Sequence, residues 1–158
     1  MRCCYLGLGS NLRSPERQLR QALHQLQKLP QSVITKISQI YFSKPYGPRA
    51  QPPYANMVVS LSTSLSAERL LQACQWIENQ HQRIRKKHWG ARTLDIDLLL
   101  YGQQVIQSHL LKVPHPEMLK RDFVLVPLLE IAPKVALPSG ELVVSYLKHC
   151  ETHLHPLN

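Results

Sequence analysis

Asp95 and Asp97 are the residues whose type and spacing point most directly to chemistry. From Thr93 onward the chain reads as a β-strand, with Leu94, Ile96, Leu98 and Leu100 alternating with Asp95, Asp97, Leu99 and Tyr101. Side chains two apart on a strand share a face, which puts the two carboxylates on one side with Cα atoms roughly 6.5–7 Å apart. Aspartate is disfavoured in strands, so two of them on one face need a reason. Two hard carboxylates can hold one or two Mg²⁺ ions, with phosphate oxygens and water completing the coordination. Such ions neutralise charge on the attacking and leaving oxygens of a phosphoryl transfer. The alternative is that the pair only blunts an exposed sheet edge.

The residues just upstream favour the chemical reading. Arg83-Ile84-Arg85-Lys86-Lys87-His88-Trp89-Gly90 is the densest basic cluster in the chain, and Arg92 follows it. It could be a solvated helix end favoured by the helix dipole. It could also be a loop that closes on a triphosphate, since arginine offers a planar fork for phosphate oxygens and Trp89 a face for stacking. The loop runs straight into the two acids, and that charge complementarity supports the second reading. A second long loop, Ser43 to Pro53, holds four prolines and Gly47, which forbid regular structure and suggest a binding loop. Asn56 follows on a strand. Its amide offers both a donor and an acceptor, which suits the edge of a heterocyclic ring.

These groups need a scaffold. At 158 residues the chain suits one domain, expected to span 1–158. No apolar run approaches the roughly 18 residues of a membrane span, and Met1 to Gly7 is too short an apolar stretch for an export signal. Cys3, Cys4, Cys74 and Cys150 lack metal-ligand spacing and are expected to be reduced, packed as small hydrophobes in a cytoplasmic protein. A charge of +9 invites a nucleic-acid partner. With aromatic residues at 6% and no basic run interleaved with several aromatics as in single-strand binders, a polyphosphate substrate fits equally well. The rival reading, a basic nucleic-acid-binding module, predicts a basic stripe unrelated to Asp95 and Asp97. No nucleic-acid or membrane partner is expected, and the chain is expected to be monomeric.

Along the chain, Cys3 to Gly9 reads as a strand, with Gly7-x-Gly9 as a strand-ending turn. Ser14 is placed as the cap of a helix running to about Lys28, with Leu19, Ala22, Leu23 and Leu26 on its core face. Val33 to Phe42 reads as one strand. Tyr54 to Thr63 is the next, with Ala55, Met57, Val59 and Leu61 facing the core. Ser66 caps a second helix. Its one stripe is Leu70, Cys74, Ile77, His81 and Ile84; the neighbouring stripe carries Gln75, Glu78, Gln82 and Arg85. His81 is expected to pack rather than ligate. After a short Val105–Ile106 strand and the extended Val113-Pro114-His115-Pro116, Val124 to Ile131 should pack in the core and Glu141 to Lys148 should form a last helix. The order strand-helix-strand-strand-helix-strand matches an α+β, ferredoxin-like split βαβ sandwich, a mostly antiparallel sheet with helices on both faces.

His88-x-Gly90-Ala91-Arg92-x-x-Asp95-Ile96-Asp97-Leu98-Leu99 resembles the signature of the 6-hydroxymethyl-7,8-dihydropterin pyrophosphokinases of folate biosynthesis. The resemblance extends through Gly7-Leu8-Gly9-Ser10-Asn11, Pro45-x-Gly47-Pro48, Gln51-Pro52-x-Tyr54-x-Asn56, Gln75-x-x-Glu78, Arg83-x-Arg85, Val113-Pro114-His115-Pro116 and Arg121-x-Phe123. It implies transfer of diphosphate from MgATP to the hydroxymethyl group of the pterin, releasing AMP. It implies two Mg²⁺ on Asp95 and Asp97, with Arg83 and Arg92 stabilising the transferring group. It assigns Ser43, Pro45, Tyr46, Tyr54, Asn56, Trp89 and Phe123 to the pterin. To ATP it assigns Gln75, Glu78, Arg85, Leu98, Lys112, His115 and Arg121. The chain departs from the family pattern at Lys44, Leu110 and Lys112, and in a shorter loop before Trp89.

Overall fold

The computed structural model describes residues 1–11, 14–43, 54–82, 94–150 and 154–156, with only the backbone described for 82 and 154–156. Strand β1 (Arg2–Ser10) is followed by α1 (Pro15–Leu26), β2 (Ser32–Ile37), β3 (Tyr41–Ser43), β4 (Tyr54–Thr63), α2 (Ala67–Gln82) and β5 (Asp95–Tyr101). A small β6 (Ile106–Gln107) and β7 (Lys112–Val113) pair, a 3-10 turn, α3 (Asp122–Ile131), α4 (Val144–Leu147) and β8 (Leu154–Pro156) complete the described chain. The main sheet runs β5-β1-β4-β3-β8, with β2 also on β4, and every described pairing is antiparallel. Thus β4 sits between β1 and β2, and β1 between β4 and β5, which is the split βαβ arrangement expected from the element order.

Both faces of the sheet are covered. Leu19, Ala22 and Leu26 of α1 and Leu70, Cys74 and Ile77 of α2 pack against Leu6, Leu8, Met57, Val59, Ile96 and Leu98. On the other face Leu125 and Leu128 of α3, with Met118 and Val143, pack against Val58, Leu99 and Leu100. Asn56 and Val58 were expected to alternate with the core residues of β4; they are buried as well, because α3 lies over them.

Several local expectations change. The single strand over Val33 to Phe42 is two strands, interrupted where the Ser38 hydroxyl takes the backbone N–H of Val58. Ser14 lies in the left-handed region at φ 53° and makes no side-chain cap; its carbonyl instead accepts the Gln18 N–H at 3.2 Å. Ser66 does cap α2, accepting the Arg69 N–H at 3.2 Å. The last helix is confined to Val144–Leu147, because Leu142 pairs with Ala136 in an isolated bridge. The second small strand begins at Ile106, one residue later than expected. Strand β8 pairs with the outer edge of β3, a role its three-residue sequence does not announce. Among the cysteines, Cys4 and Cys74 are buried and their thiols pushed up to about 12 chiefly by that burial, while Cys3 is exposed rather than packed.

In β5 the expected alternation breaks. Tyr5 faces Leu100 while Leu6 faces Leu98, so Leu99 is an extra residue, a β-bulge. Leu99 and Leu100 therefore both turn toward α3, and Tyr101 rather than Leu100 joins Leu94, Ile96 and Leu98.

His81 packs as expected, joining the two helices: Nδ1 lies 2.7 Å from Gln18 Oε1 and Nε2 2.9 Å from Gln25 Oε1. A neutral ring is satisfied when one glutamine presents its carbonyl and the other its amide nitrogen. Burial lowers the pKa of His81 from 6.5. The unfolded chain therefore binds a proton more readily than the fold does below that value. The stabilisation from neutral His81 is complete above pH 6.5 and is lost as pH falls below it. Melting temperature should thus drop between about pH 7.5 and about 5.5, a range bracketing the ordinary imidazole value. The drop should be smaller in His81→Gln, and equal acid sensitivity in the two proteins would refute the assignment.

Candidate active site

The site begins with what β1 does not project. In register, Gly9 lies between Asn56 on β4 and Asp95 on β5, and Gly7 lies between Val58 and Asp97. Residues opposite one another share a face, so Asn56, Gly9 and Asp95 form one row and Val58, Gly7 and Asp97 the next. The two glycines do not end the strand, as their spacing first suggested; β1 continues through them to Ser10. Their missing side chains leave a floor over which groups from β4 and β5 share one cavity. That cavity measures about 500 Å³ and is walled by Ser43, Tyr54, Phe123 and Arg121. This is the size range of small-ligand sites. A larger hollow, about 1110 Å³, runs along α1 past Arg17 and His24 but holds none of the predicted site residues.

Asn56 is 8% exposed, and Asp95 and Asp97 open into the cavity across the floor from it. Phe123 stands at the first turn of α3, with the Arg121 guanidinium carbon 5.5 Å from its ring centre. Arg121 Nη1 and His115 Nε2 each lie 3.9 Å from Asp97 Oδ2. His115 Nδ1 accepts the Glu117 N–H at 3.1 Å, so in the neutral ring the proton sits on Nε2, the nitrogen turned toward Asp97. One carboxylate is thus met by two cationic or donor groups while keeping solvent access.

The described edge of β5 is held from outside. Glu78 is buried, and its Oε2 accepts the Ile96 N–H at 2.8 Å, between the two aspartates in sequence. His115 donates its backbone N–H to the Leu99 carbonyl at 3.0 Å, at the bulge. Two of the residues assigned to ATP also have contacts within the fold. The Leu98 side chain is buried among the core residues under α1 and α2. Glu78 spends at least one carboxylate oxygen on the strand itself. Gln75 and Lys112 are exposed.

The structure therefore brings together Ser43, Tyr54, Asn56, Asp95, Asp97, Arg121 and Phe123 around one cavity, with His115 on Asp97. Arg83, Arg85, Trp89 and Arg92, with Pro45 and Tyr46, lie outside the described residues. Asp122, which also lines the cavity, was not anticipated; its only sequence signal was its place between Arg121 and Phe123.

Mg²⁺ fits the donor set. Among the described residues no group of three or more histidines, cysteines and acids could hold a metal. Two hard carboxylates facing an open cavity are what a magnesium ion shared with substrate phosphates uses, since that ion takes few protein ligands.

A profile of the 7,8-dihydro-6-hydroxymethylpterin-pyrophosphokinase family matches residues 5–133. The chain is 44% identical to the 2-amino-4-hydroxy-6-hydroxymethyldihydropteridine pyrophosphokinase of Haemophilus influenzae over 149 residues, covering 94% of this chain and 93% of that protein. It is 43% identical to the Pseudomonas aeruginosa protein of the same name, covering 92% and 90% of the two chains. A crystal structure of HPPK-DHPS in complex with substrates superposes with a TM-score of 0.70 at 14% identity, covering 94% of this chain. Wild-type Plasmodium falciparum HPPK-DHPS gives 0.70 at 12%, again over 94%. These two likenesses establish the fold, and the chain spans only 42% and 43% of those longer proteins.

The Glu78 clamp has a measurable consequence. Glu78→Ala leaves the Ile96 N–H without its acceptor and should cost about 1–3 kcal/mol in denaturant unfolding. Glu78→Gln keeps an acceptor of the same reach and should cost less. Unchanged stability in the alanine variant would show that the bond carries nothing.

Proposed function

The chain belongs to the 7,8-dihydro-6-hydroxymethylpterin-pyrophosphokinase family, and from that premise we propose how its residues divide the work of the family's reaction. The protein is an ATP-dependent diphosphotransferase of folate biosynthesis, acting on 6-hydroxymethyl-7,8-dihydropterin and releasing AMP. The observation that carries the division of roles is the row Asn56, Gly9, Asp95: a ring-reading amide and a metal-binding carboxylate face one cavity across a floor with no side chain.

In this reading Asn56 binds the polar edge of the pterin with its donor and acceptor. Phe123 and Tyr54 supply aromatic walls, and Ser43 closes the side at the end of β3. Trp89, Pro45 and Tyr46 also serve the pterin. Asp95 and Asp97 hold two Mg²⁺, which supply charge neutralisation on the polyphosphate when bound. The hydroxymethyl oxygen attacks the β-phosphorus in line with the departing AMP. Positioning and charge matter more here than a strong base, which suits a cavity built of carboxylates, an amide and cations. His115 and Arg121 orient the nucleotide beside Asp97, Arg85 also serves ATP, and Arg83 and Arg92 stabilise the transferring diphosphate. Gln75, Glu78, Leu98 and Lys112 also serve ATP.

One pyrophosphokinase domain spans 1–158 in this reading, working as a monomer in the cytoplasm without nucleic-acid or membrane partners. The four unpaired cysteines suit a reducing compartment. No described helix is long and apolar enough to cross a membrane.

Incubation with MgATP and the reduced hydroxymethylpterin should yield AMP and the pterin diphosphate. Release of ADP, or transfer of AMP to the pterin, would sink the reading. Asp97→Asn should lower turnover at least about a hundredfold, the scale on which one electrostatic stabiliser acts, while melting close to the parent. Full turnover in that variant with Mg²⁺ would remove Asp97 from the metal.

A further inference from the structure

Gly9 stands closer to Asn56 than any other residue at its position could. A Cβ built on Gly9 would lie 2.7 Å from Asn56 Oδ1, and the next nearest atom, the Ala55 carbonyl oxygen, is 3.8 Å away. Real Cβ atoms essentially never approach an oxygen so closely, so any side chain at 9 forces the amide elsewhere. The Gly7 position differs: a Cβ there would meet only Leu99 side-chain carbons, the nearest at 3.5 Å, an ordinary contact.

The direction in which Asn56 can yield is limited. Its backbone is held in β4 between β1 and β3, facing Gly9 on one side and Tyr41 on the other. Tyr41 is itself tied down, its hydroxyl donating to Glu130 Oε1 and its flank covered by α3. An amide displaced from Gly9 therefore turns within the cavity rather than slipping between strands. The backbone does not resist the substitution, since Gly9 is strand residue and glycine is the weaker strand former.

We propose that Gly9 is a positioning residue for pterin recognition: the absence of its side chain fixes the direction of the Asn56 amide. This rests on the reading of Asn56 as the group that binds the pterin edge. A planar heterocycle with adjacent donor and acceptor atoms is read only by an amide held in one orientation, because rotation of the side chain misplaces both hydrogen bonds together. Gly9 has no side chain to offer the substrate. It acts through Asn56.

The experiment is a double-variant cycle on the full chain: parent, Gly9→Ala, Asn56→Ala and the pair. The readout is calorimetric binding of 6-hydroxymethyl-7,8-dihydropterin in the presence of a nonhydrolysable MgATP analogue. Gly9→Ala should weaken pterin binding roughly ten- to hundredfold, the scale of a mispaired buried polar group. It should fold normally and hold the nucleotide analogue within about twofold of the parent, a small fraction of a tenfold step. In the Asn56→Ala background the same substitution should change pterin affinity little, because the amide it displaces is gone. Equal losses in both backgrounds would mean that the new methyl group blocks the cavity directly, which overturns the inference. No loss in Gly9→Ala while Asn56→Ala loses affinity would overturn it too, leaving the pterin placement intact. Parent-like pterin binding by Asn56→Ala would instead remove the reading of Asn56 on which the inference stands.

Discussion

Strand β1 runs between the two strands that carry the polar groups of the site, and what projects from it decides whether those groups can meet. Neighbouring strands stand about 4.7–4.9 Å apart, so β4 and β5 are about two such spacings from one another. A side chain on the intervening strand would fill the gap between them. With glycine at 7 and 9 there is none, and Asn56, Asp95 and Asp97 open into a common cavity. Beyond Gly7 the same face carries Tyr5, Leu99 and Leu100 and is sealed by α3. The cavity is thus the part of a sandwich face that two glycines keep unfilled.

The remaining architecture protects that opening. On the opposite face Leu6 and Leu8 alternate with the glycines and anchor β1 to α1 and α2, so the strand keeps its register without side chains on the cavity side. The bulge at Leu99 turns two successive leucines toward α3. This ends the polar stretch of β5 abruptly after Asp97 and gives α3 an apolar seat. Placed there, α3 presents Phe123 and Asp122 from its first turn at the cavity rim.

An edge strand bearing two carboxylates is prone to fray or to pair with a stranger. Here Glu78 takes the Ile96 N–H and His115 donates to the Leu99 carbonyl, so the edge is occupied by partners from α2 and from the segment after β7. The residues that bind the edge lie beside the nucleotide's proposed place.

Much of this was legible in the chain. Asp95 and Asp97 must share a face because strand geometry has a period of two, whatever the fold around them. The apolar stripes of α1 and α2 determined which faces of those helices are buried, and the order of elements limited the sheet to one plan. Motif resemblance singled out Asn56, His115, Arg121 and Phe123, which lie near the aspartates in the fold, though nothing in their spacing places them there. Tertiary structure alone decided three things. The alternation of β5 fails at Leu99, because a bulge is defined by the partner strand's register and leaves no mark in its own sequence. Glu78 turns to the backbone of β5, because only the packing of α2 against that edge brings an acceptor to an unpaired N–H. Gly7-x-Gly9, which alone reads as the end of a strand, continues through it, because what matters about a glycine in a sheet is what stands on either side: here an amide 2.7 Å from where its Cβ would be, and a carboxylate opposite.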